Sequence, residues 1–123
     1  MGHFSEYLDL RWVGPVNGRV VWELLRPLTY VSDSGLTITV PIGFQTDLAT
    51  VPRILWIWLP PDWKYTKAAV IHDYLLVTEE LPWDVANELF HEGMENLNVN
   101  TQTNFIMYAA VCLWRWFKIT FSK

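Results

Sequence analysis

The sequence predicts an α+β fold, with an N-terminal antiparallel β meander of three to four strands followed by about three helices. Up to about residue 45, short runs rich in Val, Ile, Thr and Trp alternate with turns containing Gly and Asn, a pattern typical of strands. From about residue 64, apolar residues recur at helical spacing over long stretches. The length of 123 residues fits one domain. We therefore expect a single domain, residues 1–123, with a β part at about 8–45, a motif-bearing loop at 43–63 and a helical part at about 64–118.

The predicted strands share a high content of β-branched, aromatic and other apolar residues and are separated by turn residues. They are residues 8–13, 19–25, 27–31 and 36–42. Turns are expected at 14–18 and 32–35, where Gly18 and Gly35 tolerate the positive φ that hairpin turns require. Residues 36–40 alternate strictly between apolar and polar, so one face of that strand is expected to be buried.

Three helices are predicted after the loop, at residues 64–78, 82–95 and 104–118. The first contains no Gly or Pro. Pro82 suits the first turn of the second helix, and Asp84 is favoured there because the helix dipole is positive at that end. Thr101 or Thr103 is expected to cap the third helix.

The composition excludes several classes of protein. A chain that is 51% apolar and 18% charged differs from disordered chains. The net charge of −4, without a cluster of Lys or Arg, predicts no nucleic-acid partner. The single cysteine, Cys112, cannot form an internal disulfide. We expect no signal peptide, because the N-terminus lacks its basic and apolar regions, and no membrane span, because the apolar run at 105–114 is too short.

The candidate catalytic residues are Asp47, His72 and Asp73. His72 and Asp73 adjoin inside an apolar predicted helix, where an unpaired polar group costs about 1–3 kcal/mol, so partners from the loop at 43–53 are expected. One interpretation is a metal or acid/base site built from these three residues. The other is a buried polar network that fixes the loop on the helix, formed by Thr46, Asp47, Arg53, His72 and Asp73. Since no further well-placed ligand is evident, we favour the network and expect neither a metal nor a cofactor.

Further polar residues share one face of the predicted second helix, namely Asp84, Asn87, Glu88 and His91. Two of them could chelate a metal, but such a face is more often solvated. Cys112 lies among apolar residues and is expected to act as a small hydrophobe. The common metalloprotease, nucleophile-elbow, phosphate-loop and CxxC patterns are absent from the sequence. This absence favours a non-enzymatic role, and any activity is expected to be hydrolytic.

Two motifs, at residues 44–53 and 68–75, resemble a small family from tailed phages and prophages that is catalogued as a domain of unknown function. The family pattern reads FxTDLASVPR, a Trp, a Pro pair and then AAxxHDxLY, and the resemblance covers about residues 36–117. On the next helix the family tends to have ADxxF, where this chain has Asn87 in place of the Asp. The resemblance adds Asn87 to the polar network, with an amide that can hydrogen-bond but is no anionic ligand.

Aromatic residues exceed what a core of this size can hide, with eight Trp, six Phe and five Tyr. Each aromatic side chain can bury about 150–250 Å², and Trp is enriched at interface hot spots. We therefore expect one or both of two aromatic segments to contact another chain, the first through Trp56 and Trp58 and the second, on the last helix, through Trp114, Trp116 and Phe117.

The resemblance implies a phage-encoded protein located in the virion, or in the host cytoplasm during infection. The expected function is a virion or virion-assembly component, such as a tail or capsid accessory protein, that docks onto other particle proteins. Its expected partners are other phage structural proteins or a second copy of the chain. Two alternatives stay open. One is a metal-dependent hydrolase acting on cell-wall material through Asp47, His72 and Asp73, and the other is an early phage protein that binds a host factor.

Overall fold

The strands precede the helices in the chain, which confirms the α+β prediction. The computed structural model describes residues 2–4, 8–16, 19–46 and 65–121. Within these residues the strands are β1 (His3–Phe4), β2 (Leu10–Val16), β3 (Arg19–Leu24), β4 (Leu28–Val31), β5 (Thr37–Val40) and β6 (Gln45–Thr46). The helices are α1 (Thr66–Thr78), α2 (Trp83–Asn96) and α3 (Thr101–Phe121).

The strands divide between two antiparallel sheets rather than forming one continuous meander. The strand orders are β1-β4-β5 and β2-β3-β6, so β3 pairs with β6 and not with β4. The break between β3 and β4 follows from local chemistry. Pro27 offers no backbone N–H to a ladder, and the N–H of Leu25 donates to the carbonyl of Asp9 at 2.9 Å. The chain therefore leaves the β2-β3-β6 sheet at Leu25 and enters the β1-β4-β5 sheet beyond Pro27.

Gly14 lies inside β2 and not in the turn predicted at 14–18. The strand continues to Val16, and its pairing register with β3 shifts between Trp12 and Gly14. Gly14 has φ +106°, a conformation that glycine adopts without a steric penalty. The glycine that resembles a turn residue in the sequence thus forms a bulge that bends the strand.

The β4–β5 hairpin forms as the sequence predicts. The N–H of Gly35, at φ +91°, donates to the carbonyl of Ser32 at 3.0 Å and closes the turn. Ile38 and Val40 point into the core, whereas the two threonines of β5 face solvent. The strict alternation of this strand therefore reports its buried face correctly.

The first helix is buried on most of its circumference and lies at the centre of the domain. It packs on β4, β5 and β6 on one side and on α2 on the other. The core between the sheets and α1 contains Leu24, Leu28, Tyr30, Ile38, Val40, Val70, Ile71, Leu75, Ala86 and Leu89. A second apolar cluster joins the three helices and contains Tyr65, Ala68, Ala69, Phe90, Met94, Met107 and Val111.

Gly93 allows α2 to approach α1 closely. A Cβ atom at this position would lie 3.0 Å from Cζ of Phe4 and 3.3 Å from Cβ of Ala68. Phe4 also packs on Tyr30, with ring centroids 4.4 Å apart. The first strand and the first two helices therefore meet where α2 has no side chain.

The third helix begins earlier than predicted, and Asn100 caps it rather than Thr101 or Thr103. Oδ1 of Asn100 accepts the N–H of Thr103 at 2.8 Å, which satisfies one of the amide groups left free at a helix start. Although α3 has 21 residues, neither it nor another helix of the described ranges is long and apolar enough to cross a membrane.

Candidate functional site

His72 is buried in the contact between α1 and α2. Its side chain is 2% exposed, because α1 is covered on both sides and position 72 faces the second helix. Nε2 of His72 lies 2.7 Å from Oδ1 of Asn87, which is itself 4% exposed. Since Oδ1 can only accept, Nε2 carries the proton and Nδ1 is left as an acceptor. Nδ1 is buried and has no hydrogen-bond partner among the residues that the structure describes.

The surroundings of His72 favour the neutral imidazole. Burial lowers the pKa of His72 to about 4, and the hydrogen bond with Asn87 opposes this shift in part. The ring also packs on Phe90, with centroids 5.0 Å apart. At neutral pH the imidazole of His72 is therefore uncharged. Its Nε2–H is a hydrogen-bond donor in the interior, and its Nδ1 is an acceptor.

Asn87 extends the polar contact from α1 to α3. Its Nδ2 donates to Sγ of Cys112 at 3.8 Å. Tyr108, one turn before Cys112, donates from its hydroxyl to Glu88. This hydrogen bond, together with burial and the neighbouring thiol of Cys112, raises the pKa of Tyr108. A line of polar contacts thus runs from buried His72 to exposed Glu88 across all three helices.

The predicted polar network is described only in part. Thr46 is buried at the end of β6, and Asp73 is partly buried on α1. The loop residues that precede Asp47 lie against α1, where the rings of Phe44 and Tyr74 meet edge to face at 5.4 Å. Four of the predicted site and interface residues lie outside the described residues, namely Asp47, Arg53, Trp56 and Trp58.

The helix face predicted as solvated is divided by the packing of α2. Asp84 and Glu88 are exposed and His91 is partly exposed, but Asn87 is buried. The interpretation of one solvated face is therefore wrong for Asn87. Its position at the edge of the face turns it toward α1 once the helices pack, and the sequence spacing does not reveal this.

A polar joint between α2 and α3 has no counterpart in the sequence predictions. Nδ1 of His91 donates to Oδ1 of Asn104 at 2.7 Å, and Nδ2 of Asn104 donates to the carbonyl of His91 at 3.3 Å. Asn104 is buried, and the His91 ring packs on Tyr108 with centroids 4.9 Å apart. The signal in the sequence was an Asn placed one turn into an apolar helix, where a polar side chain needs a partner.

A second unpredicted cluster ties α2 to the β4–β5 turn. The hydroxyl of Tyr30 donates to Glu92 and accepts from Nδ2 of Asn96 at 2.9 Å. Burial and the Glu92 carboxylate raise the pKa of Tyr30. The backbone N–H of Asp33 donates to the same carboxylate oxygen at 3.1 Å. The hydrogen bond between Tyr30 and Glu92 thus links α2 to the sheet.

The outward face of α2 forms a shallow groove of about 360 Å³. We call it the acidic groove, because five carboxylates line it and its described lining contains no Lys or Arg. The lining residues are Asp33, Asp84, Val85, Glu88, Leu89, His91, Glu92 and Glu95. Over the described ranges, no group of three or more His, Cys, Asp or Glu side chains is arranged to hold a metal ion.

The outward face of α3 is apolar. Its exposed side chains, here called the α3 stripe, recur at helical spacing and are Phe105, Ile106, Ala109, Leu113 and Trp116. Phe105 is 68% exposed, Leu113 is 58% exposed and Trp116 is 55% exposed. Of the predicted interface residues, Trp116 therefore lies at the surface. Trp114 and Phe117 also lie on α3, and their side chains are outside the described part.

Residues 22–111 match the model of a family described as a protein of unknown function, DUF1353. The chain belongs to this family. The matched region of this DUF1353 protein runs from β3 through the first half of α3 and includes His72, Asn87 and the acidic groove. It ends before Trp116.

The DUF1353 chain is also similar to a bacterial protein, the uncharacterized protein y4jT of Sinorhizobium fredii (strain NBRC 101917 / NGR234). The two are 33% identical over 95 residues, which is 76% of this chain. The chain spans only 28% of the length of that relative. No solved structure matches the DUF1353 chain significantly.

Proposed function

We propose that this protein is a virion or virion-assembly component of a tailed phage that docks onto other particle proteins through the α3 stripe. The phage context rests on the motifs at 44–53 and 68–75, which resemble a phage and prophage family. The observation that carries the docking role is the row of exposed apolar side chains along α3.

The stripe combines an apolar composition with high solvent exposure. Phe105, Leu113 and Trp116 are more than half exposed and lie on one face of one helix. Burying such a side chain is favourable by about 1.5–3 kcal/mol relative to leaving it in water. Soluble monomers rarely expose contiguous apolar patches above a few hundred Å². A partner that covers this face is therefore strongly stabilising.

The test is to purify particles from the phage or prophage that encodes this chain and to measure the protein in them by quantitative mass spectrometry. The expected result is a fixed copy number per particle that falls for Leu113→Ser. The matched control is Val77→Ser, since Val77 is 66% exposed on α1, and it should leave the copy number unchanged. Absence of the wild-type protein from purified particles would overturn the proposal.

The same stripe also fits the alternative of an early phage protein that binds a host factor. This alternative is favoured if the wild-type protein is absent from particles but captures one host protein that Leu113→Ser does not capture. Val77→Ser serves again as the control, because it removes an exposed apolar side chain from another helix.

A further inference from the structure

We propose that the segment which seats on the α3 stripe is a basic amphipathic helix of a partner protein, with its cationic side chains over the acidic groove. This inference rests on the proposed docking function and adds the chemistry of the partner. It is carried by the position of an apolar helix face beside a groove lined by carboxylates.

The stripe and the groove form one continuous surface. Tyr108 lies between them, because its hydroxyl bonds Glu88 in the groove and its ring packs on His91. Phe105, at the edge of the stripe, is one helical turn before Tyr108. Packed helices lie about 8–10 Å apart, and a helix with its side chains is about 10–12 Å wide. One incoming helix can therefore contact both α3 and the edge of α2.

The negative charge of the groove favours basic residues beside the apolar face of the partner helix. Glu88 and Glu92 line the groove, and each carboxylate accepts a hydrogen bond from a tyrosine, Tyr108 and Tyr30 respectively. Asp84 and Glu95 extend the acidic row toward the two ends of α2. Lys and Arg on the partner complement this row, whereas Asp and Glu are repelled by it.

The stripe also sets the length of the partner segment. From Phe105 to Trp116 it covers three helical turns, about 16 Å of α3. A second copy of this chain fits the surface less well, because it carries the same acidic groove and the same net charge of −4. Apolar side chains at helical spacing, with basic residues on both flanks, are the complementary pattern.

The test uses the full chain and two synthetic helical peptides of about 18 residues, or five turns. Both peptides carry the same Leu-rich face, and one has Lys flanks while the other has Glu flanks. Binding is measured by fluorescence anisotropy of the labelled peptides. We expect the Lys peptide to bind at least about tenfold more tightly than the Glu peptide, with an affinity that falls as salt rises.

Matched variants locate the binding surface. Leu113→Ser should weaken binding of the Lys peptide about tenfold or more, because it removes an apolar contact. Val77→Ser should leave it unchanged. Glu95→Lys reverses one charge of the groove at the C-terminal end of α2, where Lys suits the helix dipole. It should weaken binding by about tenfold, since it repels the Lys flank. Glu79→Lys reverses an exposed charge outside the groove and serves as its control.

The outcomes separate this inference from the proposed function. Equal binding of both peptides, or no binding of either, overturns the basic partner, even where Leu113→Ser still lowers the copy number in particles. A dimer in sedimentation that Leu113→Ser dissociates also overturns it, in favour of a second copy. Binding of the Lys peptide through Leu113 and Glu95 supports it, and does so even where the protein is absent from particles and the virion role fails.

Discussion

Asn87 accepts a hydrogen bond from Nε2 of His72, 2.7 Å away, while its amide nitrogen donates to Sγ of Cys112. One side chain of α2 thereby contacts both of the other helices through its two polar atoms. An amide provides a donor and an acceptor at this point. A side chain of similar size without polar atoms would leave the buried Nε2–H of His72 without its acceptor and would remove the donor to Cys112.

Replacing Asn87 by Leu is expected to destabilise the protein by about 1–3 kcal/mol, because the buried Nε2–H of His72 loses its acceptor. Chemical denaturation at pH 7 measures the free energy of unfolding. Gln102→Leu is the control, since Gln102 is exposed at the start of α3. Equal midpoints for wild type and Asn87→Leu would mean that the hydrogen bond contributes nothing to stability.

Stability is expected to fall as the pH is lowered from about 6.5 to about 4. The pKa of His72 is about 4 in the folded protein and 6.5 when unperturbed. Between these values the imidazole is protonated in the unfolded chain and neutral in the folded protein. The stability contributed by the neutral ring is complete above 6.5, and about 3 kcal/mol is lost by pH 4.

The measurement is the free energy of unfolding across this pH window for wild type, His72→Gln and His3→Gln. The slope should flatten in His72→Gln, since Gln does not titrate. His3→Gln is the control, because the side chain of His3 is exposed on β1. A slope that persists unchanged in His72→Gln would assign the acid sensitivity to other groups.

Asn100→Ala is expected to cost about 1 kcal/mol, within a range of about 0.5–2, because it removes the acceptor for the N–H of Thr103. Thermal denaturation followed by circular dichroism detects the loss. Gln102→Ala on the same helix turn should change stability by less than about 0.5 kcal/mol. Should the two variants melt together, the cap assigned to Asn100 would be incorrect.

Gly93→Val is expected to destabilise the protein by about 1–3 kcal/mol, because its side chain must enter the space held by Phe4 and Ala68. Ala at this position gains helix propensity of about 1 kcal/mol against the same contacts, so it should cost less than Val. Denaturant midpoints for both variants test this order. A Gly93→Val protein as stable as wild type would show that the helices can separate without cost.

The dialysed protein is expected to contain far less than one equivalent of zinc or manganese. The candidate ligands are Asp47, His72 and Asp73. Where the family pattern has a further Asp, this chain has Asn87, whose amide is not an anionic ligand. Metal analysis by mass spectrometry after dialysis measures this. Near-stoichiometric metal that survives dialysis would contradict the prediction and would favour the hydrolase alternative.

Local patterns predicted the elements whose determinants are local. Alternation over 36–40 gave the buried face of β5, and apolar stripes gave the helices. The pairing of β3 with β6 joins residues such as Trp22 and Thr46, which are far apart in the chain, so no short window contains its signal. Gly14 was wrongly predicted to lie in a turn, because glycine with positive φ occurs both in turns and in β-bulges.

The candidate site was predicted less well than the fold, for a geometric reason. Spacing shows which residues share a helix face, but not which neighbour that face meets. The family pattern placed Asn87 in the polar network, whereas its spacing placed it on the solvated face of the second helix. In the structure its side chain is buried. His91 and Asn104 are 13 residues apart and bond across two helices, a contact that depends on how α2 and α3 pack.

The contact of Phe4 with Gly93 has a consequence for synthesis of the chain on the ribosome. The β4–β5 hairpin can close as soon as its own residues have emerged, but Phe4 of β1 also packs at Gly93 of α2. Gly93 follows Phe4 by 89 positions, which take about 4–18 s to make at about 5–20 residues per second. During that interval the first strand lacks its contact with α2, so its edge is open to chaperones or to premature pairing.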